Sequence, residues 1–191
     1  IIMRMPAIAA IYVPLDGMNE CGLCVADLIE INGEAVHQNT GKTPITTVAA
    51  IRLMLDYAAN VDEAIALLQQ YDMHSSMNVA HHFALCDTTG KYAVVEYVDN
   101  QLVVTESIAC TNHRLTCSAH PTDTALQPAI SNSHLRLEQL LTAPNSKSLL
   151  NSMQDVAFDG WTRWSVIFNP NQKQATYYFN ADFSTPYTIE L

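Results

Sequence analysis

The spacing of hydrophobic residues changes along the chain from the alternation typical of strands to the period of helices and back again. Alternating apolar and polar positions predict a first pair of strands at Ala7 to Val13 and Gly22 to Ile31. The segment Pro14 to Gly17 between them has the proline and Asp-Gly residues typical of a turn. A polar loop from Asn32 to Thr43 is expected to follow.

Two helices are predicted in tandem after this loop. The first begins near Thr46/Thr47, because the next apolar residues recur at spacings of three and four. Those residues are Val48, Ile51, Leu55 and Ala58. Asn60 followed by Glu63 is typical of a capping box and predicts a second helix, with Ala64, Leu67 and Leu68 facing inward.

The rest of the chain returns to strands, then helices, then strands. Because turns of two to four residues join only antiparallel neighbours, the strands after Tyr71 predict an antiparallel meander. These strands are His81 to Cys86, Lys91 to Val98, Gln101 to Glu106 and Ile108 to Thr111. Ser118 to Ala129 is predicted to be irregular. The later helices are Ser131 to Leu141 and Lys147 to Val156, and the last strands are Thr162 to Phe168, Lys173 to Phe179 and Tyr187 to Leu191.

This order of elements predicts an α+β fold with antiparallel sheets, in a single domain over residues 1–191. With 49% hydrophobic and 15% charged residues, the chain can bury a sizeable core. Its 19 acidic and 9 basic residues give a net charge of −10, which argues against nucleic acid and anionic membranes as partners. No apolar stretch is long enough to span a bilayer, which takes roughly 18 residues.

The cysteines and histidines do not form a recognisable metal motif. Cys21 and Cys24 have C-x2-C spacing, but no second pair with matching spacing follows. His81 and His82 are adjacent in a predicted strand and point to opposite faces, while His74 is expected in a loop. We therefore expect neither a metal nor a cofactor.

Two observations bear on the compartment. Five cysteines are an odd number in a chain too large to need disulfides, which favours a reducing compartment. The opening residues also have no basic region and no long apolar region of a signal peptide. A cytoplasmic location is the resulting expectation.

Asn112 and Arg136 are the candidate site residues. Asn112 follows a predicted strand, so its amide could donate to an oxyanion at the rim of a sheet, or it could cap the strand end by bonding to the backbone. Arg136 lies on the third predicted helix and could anchor a carboxylate or the backbone, or face solvent.

Several segments, in order, resemble the linear amide C–N hydrolases, which include choloylglycine hydrolases, penicillin V acylase and the C45-type acyl-CoA:6-aminopenicillanic acid acyltransferases. The resemblance extends over nearly the whole chain, and the shared order is more specific than any one motif. The segments are Asp16 to Glu20 with Gly22 and Leu23 (D-G-M-N-E-x-G-L), the helix pair Thr46 to Gln70, Cys86 to Tyr97, Thr111 to His113 (T-N-H), Leu135 to Glu138 (L-R-L-E) and Trp164 to Val166 (W-S-V).

The resemblance implies an N-terminal-nucleophile hydrolase with an αββα sandwich that acts on a small-molecule N-acyl amide. In that family a cysteine at the mature N-terminus attacks the amide carbonyl, and its own α-amine is the base. Asn112 would be the side-chain donor of the oxyanion hole, and Arg136 would orient the site. A homo-oligomer is left open.

Two departures from the family pattern shape the functional hypothesis. Ile1 cannot be a nucleophile and none of the five cysteines fits that role, so we expect this chain to hold the body of the sandwich without its N-terminal strands and its catalytic terminus. Ile29 stands where bile salt hydrolases carry an asparagine, which weakens that assignment. The hypotheses are hydrolysis of a linear amide, acyl transfer of the C45 type, or a non-catalytic truncated sandwich.

Overall fold

The computed structural model describes residues 13–30, 33–116, 132–144, 148–158 and 160–190. Its larger sheet is built from five strands: β1 Asp16–Met18, β2 Cys24–Glu30, β5 Ala80–Cys86, β6 Tyr92–Val98 and β7 Gln101–Thr105. Each strand pairs antiparallel with its neighbour in the order β1-β2-β5-β6-β7. The predicted meander is therefore confirmed for β5, β6 and β7.

Two helices cover one face of this sheet, as the hydrophobic spacing predicts. Helix α1, Thr47–Tyr57, begins after Thr46, whose side chain accepts a hydrogen bond from the Ala49 N–H. Helix α2, Val61–Leu68, begins after Asn60, whose side chain accepts from the Glu63 N–H at 3.0 Å. The Glu63 carboxylate accepts in return from the Ala59 N–H at 2.8 Å, so the capping box is present with its return bond one residue earlier than usual.

The described part of the chain also contains two smaller sheets, a short 3-10 helix at Ser76–Asn78 and two further α-helices. Strand β3, Thr43–Thr46, pairs parallel with β4, Tyr71–His74. The other small sheet is antiparallel and consists of β8 Trp164–Asn169, β9 Gln174–Phe179 and β10 Asp182–Glu190. Its order is β10-β9-β8. The helices are α3 Ser133–Thr142 and α4 Leu149–Val156.

Three local predictions are wrong. Asp16 and Gly17 belong to β1 instead of a turn, because Asn19 makes the reversal: its side-chain oxygen accepts from the Cys21 and Leu23 N–H groups at 3.1 and 3.0 Å. His74 ends β4 and is not in a loop, since this strand pairs with β3. The segment Ile108 to Thr111 has no strand partner among the described residues and runs as a loop.

Some predictions fall on residues outside the described ranges. They are the strand Ala7 to Val13 up to residue 12, the irregular segment Ser118 to Ala129, and the first residue of the helix predicted from Ser131. Among the described residues, no helix is both long and apolar enough to cross a membrane.

The two faces of the five-stranded sheet differ sharply. On the helix-covered face, Val25, Phe83 and Val95 are buried in a cluster with Ile51 and Met54 of α1. Residues one position away point to the other side, which we call the cavity face. It is defined by Cys24, Ala26 and Glu30 of β2, His82, Ala84 and Cys86 of β5, and Tyr92, Val94 and Glu96 of β6.

Candidate active site

The loop that carries the T-N-H motif is held against the first turn of α3. The Thr111 hydroxyl donates to the Ser133 carbonyl oxygen at 2.9 Å and lies 3.0 Å from the Ser133 hydroxyl. The His113 Nδ1 atom lies 2.9 Å from the same hydroxyl. All three side chains are buried, so the residue between Thr111 and His113 has a fixed backbone on both sides.

That residue is Asn112, and the structure brings it together with Arg136. The Arg136 Nη2 atom donates to the Asn112 Oδ1 atom at 2.9 Å, and the Asn112 Nδ2 atom donates to the Ile29 carbonyl oxygen at 3.0 Å. The Asn112 amide therefore bonds to the backbone, one of the two roles anticipated for it. Arg136 contacts the candidate site and does not simply face solvent.

Arg136 is held from a second direction by an aromatic ring. Its guanidinium carbon lies 5.4 Å from the centre of the Phe158 ring, within the range of a cation–π interaction. Burial lowers the pKa of Arg136 from its ordinary value. An arginine remains charged after such a shift, so the cation next to Asn112 is permanent.

A buried group of charged residues supports the other end of the loop. The Glu96 carboxylate accepts from the Leu115 N–H at 2.6 Å and the Thr116 N–H at 3.2 Å, and its Oε1 atom lies 3.3 Å from the His82 Nδ1 atom. The Arg114 Nε atom pairs with the Glu30 Oε1 atom at 2.5 Å. Sequence reasoning missed this group. The only signal was that Glu30, His82 and Glu96 are polar residues within strands.

The surroundings lower the pKa of Glu96 and raise the pKa of Glu30. Burial tends to raise the pKa of Glu96, but the His82 hydrogen bond and the backbone donors outweigh burial and lower it. Burial raises the pKa of Glu30, and Arg114 only partly offsets this effect. Burial, together with the neighbouring His134, lowers the pKa of His113 to about 4, so its ring is neutral at pH 7.

A largely apolar cavity of about 210 Å³ opens on the cavity face beside this loop. Its lining includes Cys24, Cys86 and Cys110, together with Ser107 and Phe168. Burial, and the charges of Glu96 and Glu30, raise the pKa of Cys110 to about 12, so it is a neutral thiol at pH 7. Hydrogen bonding from Cys24 lowers the pKa of Cys86 to about 7.

A second apolar cavity, of about 420 Å³, lies between the sheet of β8, β9 and β10 and the segment from Val13 to Asp16. Trp164, Tyr177 and Phe179 form much of its wall. The Trp164 indole N–H donates to the Asp16 Oδ2 atom at 2.8 Å, which connects the W-S-V segment to the D-G-M-N-E segment. Burial raises the pKa of Asp16 despite this hydrogen bond.

Comparison with known families identifies the class of protein. Residues 12–182 match the acyl-coenzyme A:6-aminopenicillanic acid acyl-transferase family. The match includes the helix pair, the T-N-H loop and the segment from Trp164 to Val166. The chain belongs to this family, which confirms the resemblance inferred from its motifs.

Solved structures with related folds agree with this assignment. A mutant of conjugated bile acid hydrolase from Clostridium perfringens is 18% identical, with a TM-score of 0.65 over 93% of this chain and 72% of that one. Penicillin V acylase from Agrobacterium tumefaciens is 20% identical, with a TM-score of 0.61 over 91% of this chain and 64% of that one. These likenesses confirm the predicted α+β fold with antiparallel sheets. A search of curated proteins found no match.

Proposed function

We propose that this chain forms the body of an enzyme that cleaves or transfers the acyl group of a small-molecule, non-peptide amide. Asn112 donates to the oxyanion that develops at the amide carbonyl, and Arg136 is the positioning residue that orients Asn112. The observation that carries the proposal is the hydrogen-bonded series from Arg136 through Asn112 to the Ile29 carbonyl oxygen.

This series fixes which end of the Asn112 amide faces the site. Arginine has only donors, so the amide atom that it contacts must be the carbonyl oxygen. The Asn112 nitrogen therefore lies on the opposite side, where one of its two hydrogens bonds to Ile29. Its second hydrogen is the donor in our proposal. A donor whose orientation is fixed in advance stabilises an oxyanion without reorganisation during the reaction.

The nucleophile in this proposal is an N-terminal cysteine that none of the five cysteines of this sequence provides. Cys110 is two residues from Asn112, but its thiol is neutral at pH 7 and lies beside two carboxylates that oppose its ionisation. The observations favour a cysteine supplied by chain outside this sequence, as the family resemblance implies.

The substrate is expected to have an apolar acyl group, because the cavity beside the loop has a mainly apolar lining. Two kinds of acceptor are consistent with the family: water gives hydrolysis and an amine gives acyl transfer. The related structures are a conjugated bile acid hydrolase and a penicillin V acylase, so conjugated bile acids and penicillin V are rational first substrates.

The first prediction concerns the Asn112→Ala variant, made in the protein at its natural length. We expect kcat to fall by about 10²–10³-fold with little change in KM, because a lost oxyanion donor weakens the transition state more than the ground state. The measurement is steady-state turnover of penicillin V, a conjugated bile acid and an N-acyl amino acid, with 6-aminopenicillanic acid added as an acceptor in a parallel series.

The matched control is Asn151→Ala, because Asn151 is an exposed asparagine on α4. Arg136→Lys should give an intermediate loss, since lysine keeps the charge but not the planar donor group. Unchanged kcat in Asn112→Ala would contradict the role of this residue. Steady turnover by the purified 191-residue chain would instead contradict the proposed origin of the nucleophile.

A further inference from the structure

Three buried side chains on the cavity face converge on one point. Glu30 of β2, His82 of β5 and Glu96 of β6 each place one donor atom within 4.8 Å of the other two. Their strands are adjacent in the sheet, so the convergence follows from register. Leu28 pairs with His82, and Glu30 lies two residues further along β2, on the same face as Leu28.

The spacing of two of these donors is that of ligands around a small cation. The Glu96 Oε1 atom and the His82 Nδ1 atom lie 3.3 Å apart. Two ligands of a tetrahedral ion with bonds of about 2.0–2.2 Å are separated by roughly 3.4 Å. A cation bound between them would replace the hydrogen bond of His82 and Glu96 with little movement of either side chain.

Glu30 provides a second, independent indication of a cation site. The residue is 2% exposed, and no described residue donates a hydrogen bond to its Oε2 atom. Its Oε1 atom is paired with the Arg114 Nε atom. A buried carboxylate oxygen without a donor costs free energy, and a bound cation would remove that cost.

The charge around the group also favours a divalent ion. The charged side chains of the group are two carboxylates, Glu30 and Glu96, and one guanidinium, Arg114, so an added cation would be near more negative than positive groups. A sulfur donor is also close, because the Cys110 Sγ atom lies 3.7 Å from the His82 Nδ1 atom and 3.3 Å from the Nε2 atom.

The same contacts argue against Cys110 as a nucleophile paired with His82 and Glu96. The sulfur lies at similar distances from both ring nitrogens, so it does not sit along the lone pair of one of them. Two nearby carboxylates also disfavour the thiolate that such a nucleophile needs.

We propose that Glu30, His82 and Glu96 form a binding site for a divalent transition-metal ion of the zinc type, with Cys110 as an adjacent fourth donor. The mixture of imidazole and carboxylate ligands favours Zn²⁺ over Mg²⁺, which prefers oxygen ligands and retains water. The ion would join three strands to the loop of Asn112, because Glu96 and Glu30 also hold residues 114 to 116 of that loop.

The test is titration of the metal-free protein, at its natural length, with Zn²⁺, followed by isothermal calorimetry and by the unfolding temperature. We expect one ion per chain with a Kd of about 1 μM or tighter, an unfolding temperature that rises with Zn²⁺ concentration, and no response to about 1 mM Mg²⁺. Absence of Zn²⁺ binding up to about 1 mM would overturn the proposal. These readouts do not depend on enzymatic activity.

Two variants show whether any bound ion occupies this site. Glu30→Gln keeps the shape of the side chain and should weaken Zn²⁺ binding by at least about 100-fold. His81→Gln is the matched control, because His81 is the neighbour of His82 on the opposite face of the sheet, and it should bind like the wild type. Equal binding by the wild type and Glu30→Gln would overturn the proposal.

A measurement on the wild type alone keeps the proposal testable if Glu30→Gln fails to fold. X-ray absorption at the zinc edge counts the imidazole ligands of the bound ion. We expect one imidazole with oxygen and sulfur as the other donors. Two or more imidazoles, or none, would contradict this ligand set.

Discussion

The two faces of the five-stranded sheet are made from alternate residues of the same strands, yet one face packs against helices and the other carries the candidate site. His81 and His82 illustrate the contrast. His81 bonds to Asp27 at 2.9 Å on the side of the helices, and His82 lies beside Glu96 and Cys110 on the side of the cavity. The helix-covered face is otherwise a continuous apolar core that includes Val25, Phe83 and Val95.

The direction in which a side chain points therefore decides whether it contributes to the stabilising core or to the candidate site. Its place in the sequence does not decide this. The apolar residues of the helix-covered face form a buried core cluster with α1 and α2, and burial of such apolar surface stabilises the fold. The cavity face has polar groups whose hydrogen bonds hold the T-N-H loop. A one-residue step along β5 or β6 therefore changes the expected consequence of a substitution.

The largest effect should come from removing Phe83, which is fully buried on the helix-covered face. Phe83→Ala should lower the free energy of unfolding by about 3–5 kcal/mol, because it removes buried apolar surface and leaves a cavity. Cys86→Ala on the cavity face should change it by less than about 1 kcal/mol, since Cys86 is exposed. Urea unfolding followed by circular dichroism measures both, and similar losses in the two variants would remove the contrast between the faces.

A smaller loss of the free energy of unfolding is expected when Glu96 loses its charge. Glu96→Gln should cost about 2 kcal/mol, because the charged acceptor of the Leu115 and Thr116 N–H groups becomes a neutral amide. Glu30→Gln is the comparison, and without metal its free-energy cost should be smaller, because the ion pair with Arg114 only partly offsets the burial of the Glu30 charge. Urea unfolding of both variants in a chelator is the measurement. A greater loss in Glu30→Gln would contradict this assignment of roles.

Local rules predict the helix pair well because each signal lies within a few residues. The Asn60 and Glu63 pair sets the start of α2, and the spacing of Ile51 and Leu55 places the side of α1 that packs against the core. Asp-Gly residues such as those before Met18 favour turns, which is why the first reversal is predicted too early. The reversal instead depends on Asn19, whose amide also donates to the Ala58 carbonyl oxygen at 2.7 Å. That contact joins distant residues, so local spacing could not show it.

The candidate site is also predicted only in part, because some of its residues lie in recognisable motifs and others are brought together by distant contacts. Asn112 and Arg136 can be chosen from motifs, but their contact depends on how the loop lies against α3. The group of Glu30, His82 and Glu96 cannot be predicted in this way, because it requires the register of three strands. Alternation does predict that His81 and His82 point to opposite faces, and the structure confirms it. The residues that each histidine contacts depend on tertiary packing, so the sequence pattern does not predict them.

The smallest effect should be a pH dependence confined to the helix-covered face, where His81 contacts Asp27. Burial tends to lower the pKa of His81, but the hydrogen bond and charge of Asp27, with the Ser76 carbonyl, outweigh burial and raise it. A raised histidine pKa stabilises the folded state below the unfolded pKa of about 6.5, and this contribution is lost as pH rises through the folded pKa. His81→Gln should therefore lose more stability at about pH 5.5 than at about pH 8.5.

Urea unfolding at the two pH values measures this difference, and Asp27→Asn tests its cause. Without the carboxylate, the same pH-dependent part of the stability should disappear, because only the Ser76 carbonyl then favours the charged ring. A His81→Gln loss that is equal at both pH values would mean that the His81 and Asp27 contact acts only through hydrogen bonding. The helix-covered face would then contribute no titrating pair, and the pH dependence of stability would have to come from elsewhere in the chain.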